Sequence, residues 1–296
     1  MGKLAVISDL HVDINHFSET ELQLIAELLT ANQATHLHLA GDMANKVATA
    51  KAVVAFFQKQ LPTTFHWGNH EMADLPADLI ETYSDPAFLN FQTVALSENT
   101  LLLGVNGWYD YGYSDLQSPE EILRLKQLFW YDRMIQRTGT DPKISHQINQ
   151  RLRQTLQGLP SEKEIIVATH FVPKAAFIVK QTGKYIRWNH LNAFLGSPEF
   201  GAVIDEMDNV RQVVFGHTHR RFEDQVIGQT IYSCRPLGYY YEWQLTRRFV
   251  LENQLAENFQ PTKLRGLLRA NQAAFDQYKA AHLKDELQQA ITWINY

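Results

Sequence analysis

The chain has 296 residues, 45% of them hydrophobic and 20% charged, with a formal net charge of −5. That composition is globular with ample material for a core, and the length fits one large α/β domain or two smaller ones. The acidic balance counts against non-specific nucleic-acid binding as the main activity, and the single cysteine, Cys234, has no internal disulfide partner, which favours a reducing compartment.

The first apolar run reaches Asp9 too soon for a signal-peptide core. No apolar stretch is long enough to span a bilayer, so a cytoplasmic protein without a membrane partner is expected. In chain order, KLAVIS (3–8) reads as a buried strand. SETELQLIAELLTAN (18–32) reads as a helix, with Ser18 and Glu21 in capping-box spacing and Leu22, Ile25, Leu28 and Leu29 on one face. A second strand (35–41) and helix (47–60) follow, then strands at 63–67, 100–105, 164–169 and 211–216 and a hairpin over 222–233 turning at Gly228. Residues 108–160 interrupt the alternation with two helices, opened by Ser118-Pro119-Glu120-Glu121 and Asp141-Pro142, and read as an inserted cap. The stretch from Pro261 to Tyr296 reads as helical.

The strand ends carry the chemistry. They deliver SDLH (Asp9, His11), GDMAN (Asp42), GNHE (Asn69, His70), THF (His170) and GHTH (His217, His219). Sites in open α/β sheets assemble at that edge because several loops converge there. Imidazole and carboxylate donors suit borderline divalent metals, and no thiolate points to a structural zinc site. With Asp42 shared between two ions, these donors exceed what one metal needs, and paired ions suit in-line displacement at phosphorus. No serine elbow, Walker A sequence or dinucleotide fingerprint is present. His36 and His38 lie inside a strand and read as satisfied buried histidines, while His16, His66, His146, His190 and His282 fall in no such pattern.

This ordered set, from about Leu4 to about Gly238, resembles the calcineurin-like metallophosphoesterase superfamily. The resemblance implies a sandwich of two mixed β-sheets flanked by helices, with a dinuclear metal centre at the strand ends. The metallophosphoesterase domain would span 1–245, with the helical insertion at about 108–160, and 246–296 would form a mostly helical extension packed on it. Asp9, His11, Asp42 and His219 would hold one ion, and Asp42, Asn69, His170 and His217 the other. A hydroxide between the ions, its pKa lowered from 15.7 to about 7, would attack phosphorus, and His70 would serve as the acid for the leaving group. The metals implied are Mn, Fe or Zn, and the substrate is a small phosphomonoester or phosphodiester, with nucleotides among the candidates.

Two departures bear on substrate. Where the phosphoprotein-phosphatase branch has aspartate and arginine after the bridging aspartate, this chain has Asn45 and Lys46, which counts against protein-phosphatase activity. Cys234-Arg235-Pro236-Leu237-Gly238 replaces an Asn-Pro-Gly turn, making Arg235 a candidate phosphate contact. The aromatic runs NGWYDYGYSD (106–115), FWYDR (129–133) and GKYIRWNH (183–190) either line a pocket over the metals, with Trp108 and Tyr109 as substrate contacts beside Asn45, or pack the insertion onto the sandwich. Glu71 either orients nearby groups or caps the turn. The rival readings are a nuclease of the same superfamily and a binding or scaffold protein with little catalysis. Oligomeric state leaves no mark in the sequence.

Overall fold

The structure is a computed structural model describing residues 2–296. Two mixed β-sheets form a sandwich. The first, in the order β10-β1-β2-β3, comprises β1 (Lys3–Ile7), β2 (His36–Ala40) and β3 (Thr63–His66), all parallel, with β10 (Ile291–Asn295) antiparallel to β1. The second runs β4-β5-β6-β7-β9-β8. Here β5 (Thr100–Val105), β6 (Glu164–Thr169), β7 (Val210–Phe215) and β9 (Thr230–Cys234) are parallel, edged by antiparallel β4 (Gln92–Ala95) and β8 (Gln225–Ile227).

Alternation along each strand builds two packing layers. Leu4, Val6, Ala40 and Ile294 of the first sheet meet Leu102, Ile166, Ala168 and Val214 of the second in one buried cluster between the sheets. The intervening residues, such as Ala5, Ile7, Leu39, Val167 and Phe215, pack outward into a larger cluster with the helices. Strands buried on both faces read as nearly continuous apolar runs, which is why they were legible. Truncating an inner residue such as Ile166 to alanine costs about 2–5 kcal/mol.

Helix α1 (Glu19–Ala31) begins at the Ser18–Glu21 capping box and buries Ile25, Ala26, Leu28 and Leu29, while α2 (Val47–Gln58) buries Ala50, Val53, Val54 and Phe57. Short helices α3 (Asn69–Met72) and α4 (Ala77–Thr82) follow β3. The inserted segment holds α5 (Pro119–Phe129), a 3-10 turn at Tyr131–Met134 and α6 (Asp141–Gln157). A buried ion pair ties its two helices together: Lys126 Nζ of α5 reaches both oxygens of Asp141 on α6 at 2.8 Å, and Trp108 Nε1 and the Tyr111 hydroxyl donate to the same carboxylate.

The remaining helices are α7 (Pro198–Asp205), α8 (Gln244–Glu252), α9 (Leu264–Ala270) and α10 (Gln272–Gln289). The buried carboxylate of Glu286 on α10 accepts from the backbone N–H groups of Gln244 and Leu245 at 3.2 and 2.8 Å, satisfying the start of α8. The helical reading of the C-terminus fails over its last residues. Ile-Thr-Trp-Ile is β-branched and aromatic, and its free edge pairs with β1 from Ile7↔Ile291 to Lys3↔Asn295. Among the described residues no helix is long and apolar enough to cross a membrane.

Candidate metal centre

The parallel strands of both sheets end on one side of the sandwich, and the loops leaving them are stitched together. Asp9 N–H donates to the Gly41 carbonyl (3.1 Å), His11 N–H to that of Asp42 (2.9 Å), Gly216 N–H to that of His170 (3.1 Å) and Gly238 N–H to that of Asp9 (3.1 Å). Turning so many donors inward strains the chain. Asp9 (φ 58°), His11 (φ 41°), Asp42 (φ 54°), His217 (φ 67°) and His219 (φ 50°) all occupy the left-handed region, which costs an L-residue roughly 1–2 kcal/mol each and clusters at functional sites. Glycine is required where loops touch: a Cβ on Gly68 would collide with Asp42 Oδ1, and one on Gly216 with Asp9 Oδ2.

Two donor clusters result. Asp9, His11, Asp42 and His219 each present a ligand atom within 4.8 Å of the others, as do Asp42, His170 and His217, so Asp42 is common to both. Asn69 joins the second cluster, its Oδ1 3.1 Å from His170 Nε2. Three of the imidazoles are held from behind by groups that only accept hydrogen bonds. His170 Nδ1 faces the Ala40 carbonyl (3.1 Å), His217 Nε2 the Phe194 carbonyl (3.0 Å) and His219 Nδ1 the Glu242 carboxylate (2.7 Å). Each rear nitrogen therefore carries the proton, and the other keeps its lone pair for the cluster, the arrangement characteristic of metal-binding histidines.

The electrostatics fit a cation. Asp9 and Asp42 are fully buried carboxylates 3.3 Å from His219 Nε2 and His170 Nε2 respectively. Burial pushes the Asp9 carboxyl up, but the His219 hydrogen bond and the neighbouring imidazoles overcome it and leave it at about 2. Conversely, burial pulls His170 and His219 down, yet Asp42 raises the first to about 9, and Glu242 with Asp9 raises the second to about 10. The buried carboxylates thus favour positive charge at this spot, which a bound cation would supply while leaving the inward-facing imidazole nitrogens unprotonated. His11 Nε2 and His219 Nε2 point at each other across 3.0 Å, and His11 Nδ1 is buried without a partner. Mixed nitrogen and oxygen donors around a shared carboxylate suit a pair of borderline metal ions.

His70 belongs to neither cluster but stands beside them, its Nε2 3.8 Å from Asp42 Oδ2. Its backbone N–H donates to Asp42 Oδ1 (2.9 Å), its Nδ1 meets Asn45 Oδ1 (2.6 Å) and its Nε2 meets the Tyr239 hydroxyl (3.0 Å). The Tyr131 ring stacks on the imidazole at 4.0 Å and 9°, and its hydroxyl also reaches Asn45 Oδ1 at 3.3 Å. Burial holds His70 below the ordinary histidine value, partly offset by Asp42.

The other expected substrate contacts do not converge here. Trp108 and Tyr109 are 1% and 0% exposed and pack against Phe171; their apolar bulk joins the insertion to the core instead of lining an open pocket. Arg235 pairs with Asp224 at 3.4 Å in a separate cleft of about 580 Å³ lined also by Arg248, Asp285 and Trp293. Asn45 does reach the site, as a partner of His70. Glu71 both caps and orients: its carboxylate accepts the N–H groups of Gly68 (3.0 Å), Asp42 (3.0 Å) and Ala44 (2.9 Å), tying the second strand's loop to the third's. His36 and His38 share Thr64 Oγ1 at 2.9 Å, and His38 also meets His66 at 2.9 Å, on the face of the sheet that carries Leu4 and Val6.

Four neighbours of the centre were singled out by nothing in the sequence: Tyr131, named only as part of an aromatic run, and Asp132 from the insertion, and Tyr239 and Glu242 after β9. Their aromatic setting, FWYDR, was visible. Their partners lie far along the chain, and no local pattern marks them.

A dimetal donor set at the strand ends of a two-sheet sandwich defines a metallophosphoesterase. The chain belongs to the calcineurin-like phosphoesterase family, whose model matches residues 2–221, and it is accordingly a hydrolase of phosphoric esters. Among solved structures it is similar to phosphopantetheinyl hydrolase from Mycobacterium tuberculosis, with 17% identity, 82% of this chain and 92% of that chain covered, and a TM-score of 0.62. It is also similar to a dimetal phosphatase from Danio rerio, with 13% identity, 79% and 86% covered, and a TM-score of 0.49. No curated protein matches the chain.

Proposed function

We propose that the protein hydrolyses a small phosphomonoester or phosphodiester, a nucleotide being one candidate, at a dinuclear centre of Mn, Fe or Zn. Asp9, His11, Asp42 and His219 would hold one ion, and Asp42, Asn69, His170 and His217 the other. When bound, the ions supply Lewis acidity to phosphoryl oxygens and lower the pKa of water.

The remaining chemistry falls to His70. The acceptor on Nδ1 keeps a proton there, so a second proton taken up by the ring, which burial disfavours until negative charge gathers beside it, sits on Nε2, the atom facing the centre. As the bond from phosphorus to the leaving oxygen breaks and one to a water oxygen forms, Nε2 gives its proton to the leaving alkoxide. Tyr239 occupies that direction in the free protein, its hydroxyl 3.0 Å from Nε2, and would yield it to the leaving oxygen.

The observation that carries this reading is the separation of roles. Seven side chains supply the two donor sets, while His70 lies within 3.8 Å of their shared carboxylate and is committed to Asn45 and Tyr239 instead. The buried free thiol of Cys234 supports a cytoplasmic setting. The test is hydrolysis of p-nitrophenyl and bis-p-nitrophenyl phosphates with added Mn²⁺. Metal-dependent turnover that His70→Ala abolishes without loss of bound metal is expected; metal binding with no hydrolysis of either ester would favour the scaffold reading.

A further inference from the structure

We propose that Asp132, carried by the insertion, is a positioning residue for the second metal cluster, acting by fixing which end of the Asn69 amide faces it. The inference rests on the dinuclear reading above. A carboxamide is nearly symmetric in shape, and only its oxygen can bind a cation, so an Asn ligand needs something to forbid the flipped orientation. Asn69 Nδ2 donates to Asp132 Oδ1 at 2.7 Å, and its Oδ1 then lies 3.1 Å from His170 Nε2. Asp132 is 0% exposed, so no water competes for it. Its second oxygen accepts Trp130 Nε1 at 3.0 Å. Both carboxylate oxygens are thus engaged by donors, and an acceptor-only group leaves the flipped amide with oxygen against oxygen.

The same short turn reaches the other side of the centre, since Tyr131 stacks on His70. The insertion therefore contributes to the centre itself, whatever it adds as a cap. Residue 132 lies 63 positions from residue 69, so the contact exists only when the insertion is docked, and the second ion's affinity is coupled to that docking.

The test uses Asp132→Asn in the full chain, with bound Mn²⁺ and Zn²⁺ counted by elemental analysis after dialysis and each ion's affinity read by calorimetry. The new amide at position 132 faces two donors with one oxygen. The Trp130 indole cannot turn around but Asn69 can, so Asn69 flips and presents its nitrogen to the cluster. A fall of about 10- to 100-fold in affinity for the second ion is expected, in the range typical for lost partners of metal ligands, with the first ion unchanged. The exchange variant Asn69→Asp/Asp132→Asn restores every donor–acceptor pair with roles reversed and should bind two ions again. It also serves if Asp132→Asn alone fails to fold.

Two-ion binding by Asp132→Asn at wild-type affinity, or a folded exchange variant that binds one ion, would overturn the inference. Asn69→Ala in the same titration separates this from failure of the dinuclear reading. If wild type binds two ions and Asn69→Ala one, the centre stands whatever Asp132 does; if wild type binds fewer than two, the centre itself is misread.

Discussion

The amide oxygen of Asn45 accepts the Nδ1 proton of His70 at 2.6 Å. That contact holds the ring so that Nε2 faces the donor clusters, and Tyr131 clamps it from the side at 4.0 Å. His70→Ala should lower kcat by about 10²–10⁴, the usual contribution of a positioned acid. The loss should be greatest for esters with poor leaving groups, which depend most on protonation, and metal content should not change. Asn45→Ala should produce a smaller loss of about tenfold or more in kcat with KM nearly constant, because it frees the ring without removing it. Steady-state kinetics on esters of graded leaving-group pKa, alongside metal analysis, checks both.

Asp42 is the one carboxylate common to both donor sets. Asp42→Asn should therefore weaken both ions together, whereas His217→Ala should weaken one. Calorimetric titration of the apoprotein distinguishes them; selective loss of a single ion in Asp42→Asn would remove it as the bridge. Because a ligand that binds only the folded chain stabilises it, chelation should also lower the wild-type Tm more than that of Asp42→Asn.

Glu242 accepts the Nδ1 proton of His219 at 2.7 Å. Glu242→Gln offers an amide that accepts more weakly and can also present its nitrogen to the ring, so the orientation of His219 loosens. Affinity for the first ion should fall about 10- to 100-fold, with the second little affected. Equal affinities in wild type and variant would assign Glu242 to the fold alone.

The histidines between the sheets predict acid sensitivity. Burial pushes His36 down to about 4, and burial with the neighbouring His36 pushes His38 down to about 3, against about 6.5 in an unfolded chain. Below pH 6.5 the unfolded chain takes up protons that these folded side chains refuse, so stability rises with pH across that window and is fully present above it. Each histidine contributes a slope of about 1.4 kcal/mol per pH unit between its two values. Melting curves from pH 7 to pH 5, with chelator in every sample so that metal release does not contribute, should show a shallower decline for His36→Gln. An unchanged slope would exclude His36 as a source of the acid sensitivity.

The buried Lys126–Asp141 pair ties α5 to α6 within the insertion. Asp141→Ala leaves an unpaired ammonium and strands the Trp108 and Tyr111 donors, which should cost about 3–5 kcal/mol. Urea unfolding measures it; a loss below about 1 kcal/mol would mean that the pair contributes little to holding the two helices together.

What the sequence by itself determined is what lies next to a strong local pattern. The parallel strands are buried on both faces, so their apolar runs are continuous, and the donors at their ends stand within a few residues of those runs. That Asp9, His11, Asp42, Asn69, His70, His170, His217 and His219 gather at one edge was therefore readable, as was the two-sheet sandwich that their order implies. The edge strands β4 and β10 were not, because a four- or five-residue edge strand takes its conformation from its partner; Ile291–Asn295 becomes a strand by completing the hydrogen bonds of β1. The tertiary structure alone decided which side chains orient the donors. Asp132 meets Asn69, Glu242 meets His219 and Tyr239 meets His70 across separations of 63, 23 and 169 residues. A single aspartate, glutamate or tyrosine has no periodicity to announce it, and its hydrogen bond exists only once the sheets, the insertion and the loop after β9 have packed together. The same packing turned Trp108 and Tyr109 inward: an aromatic residue beside a metal site can line a pocket or fill a core, and only the surrounding chain settles which.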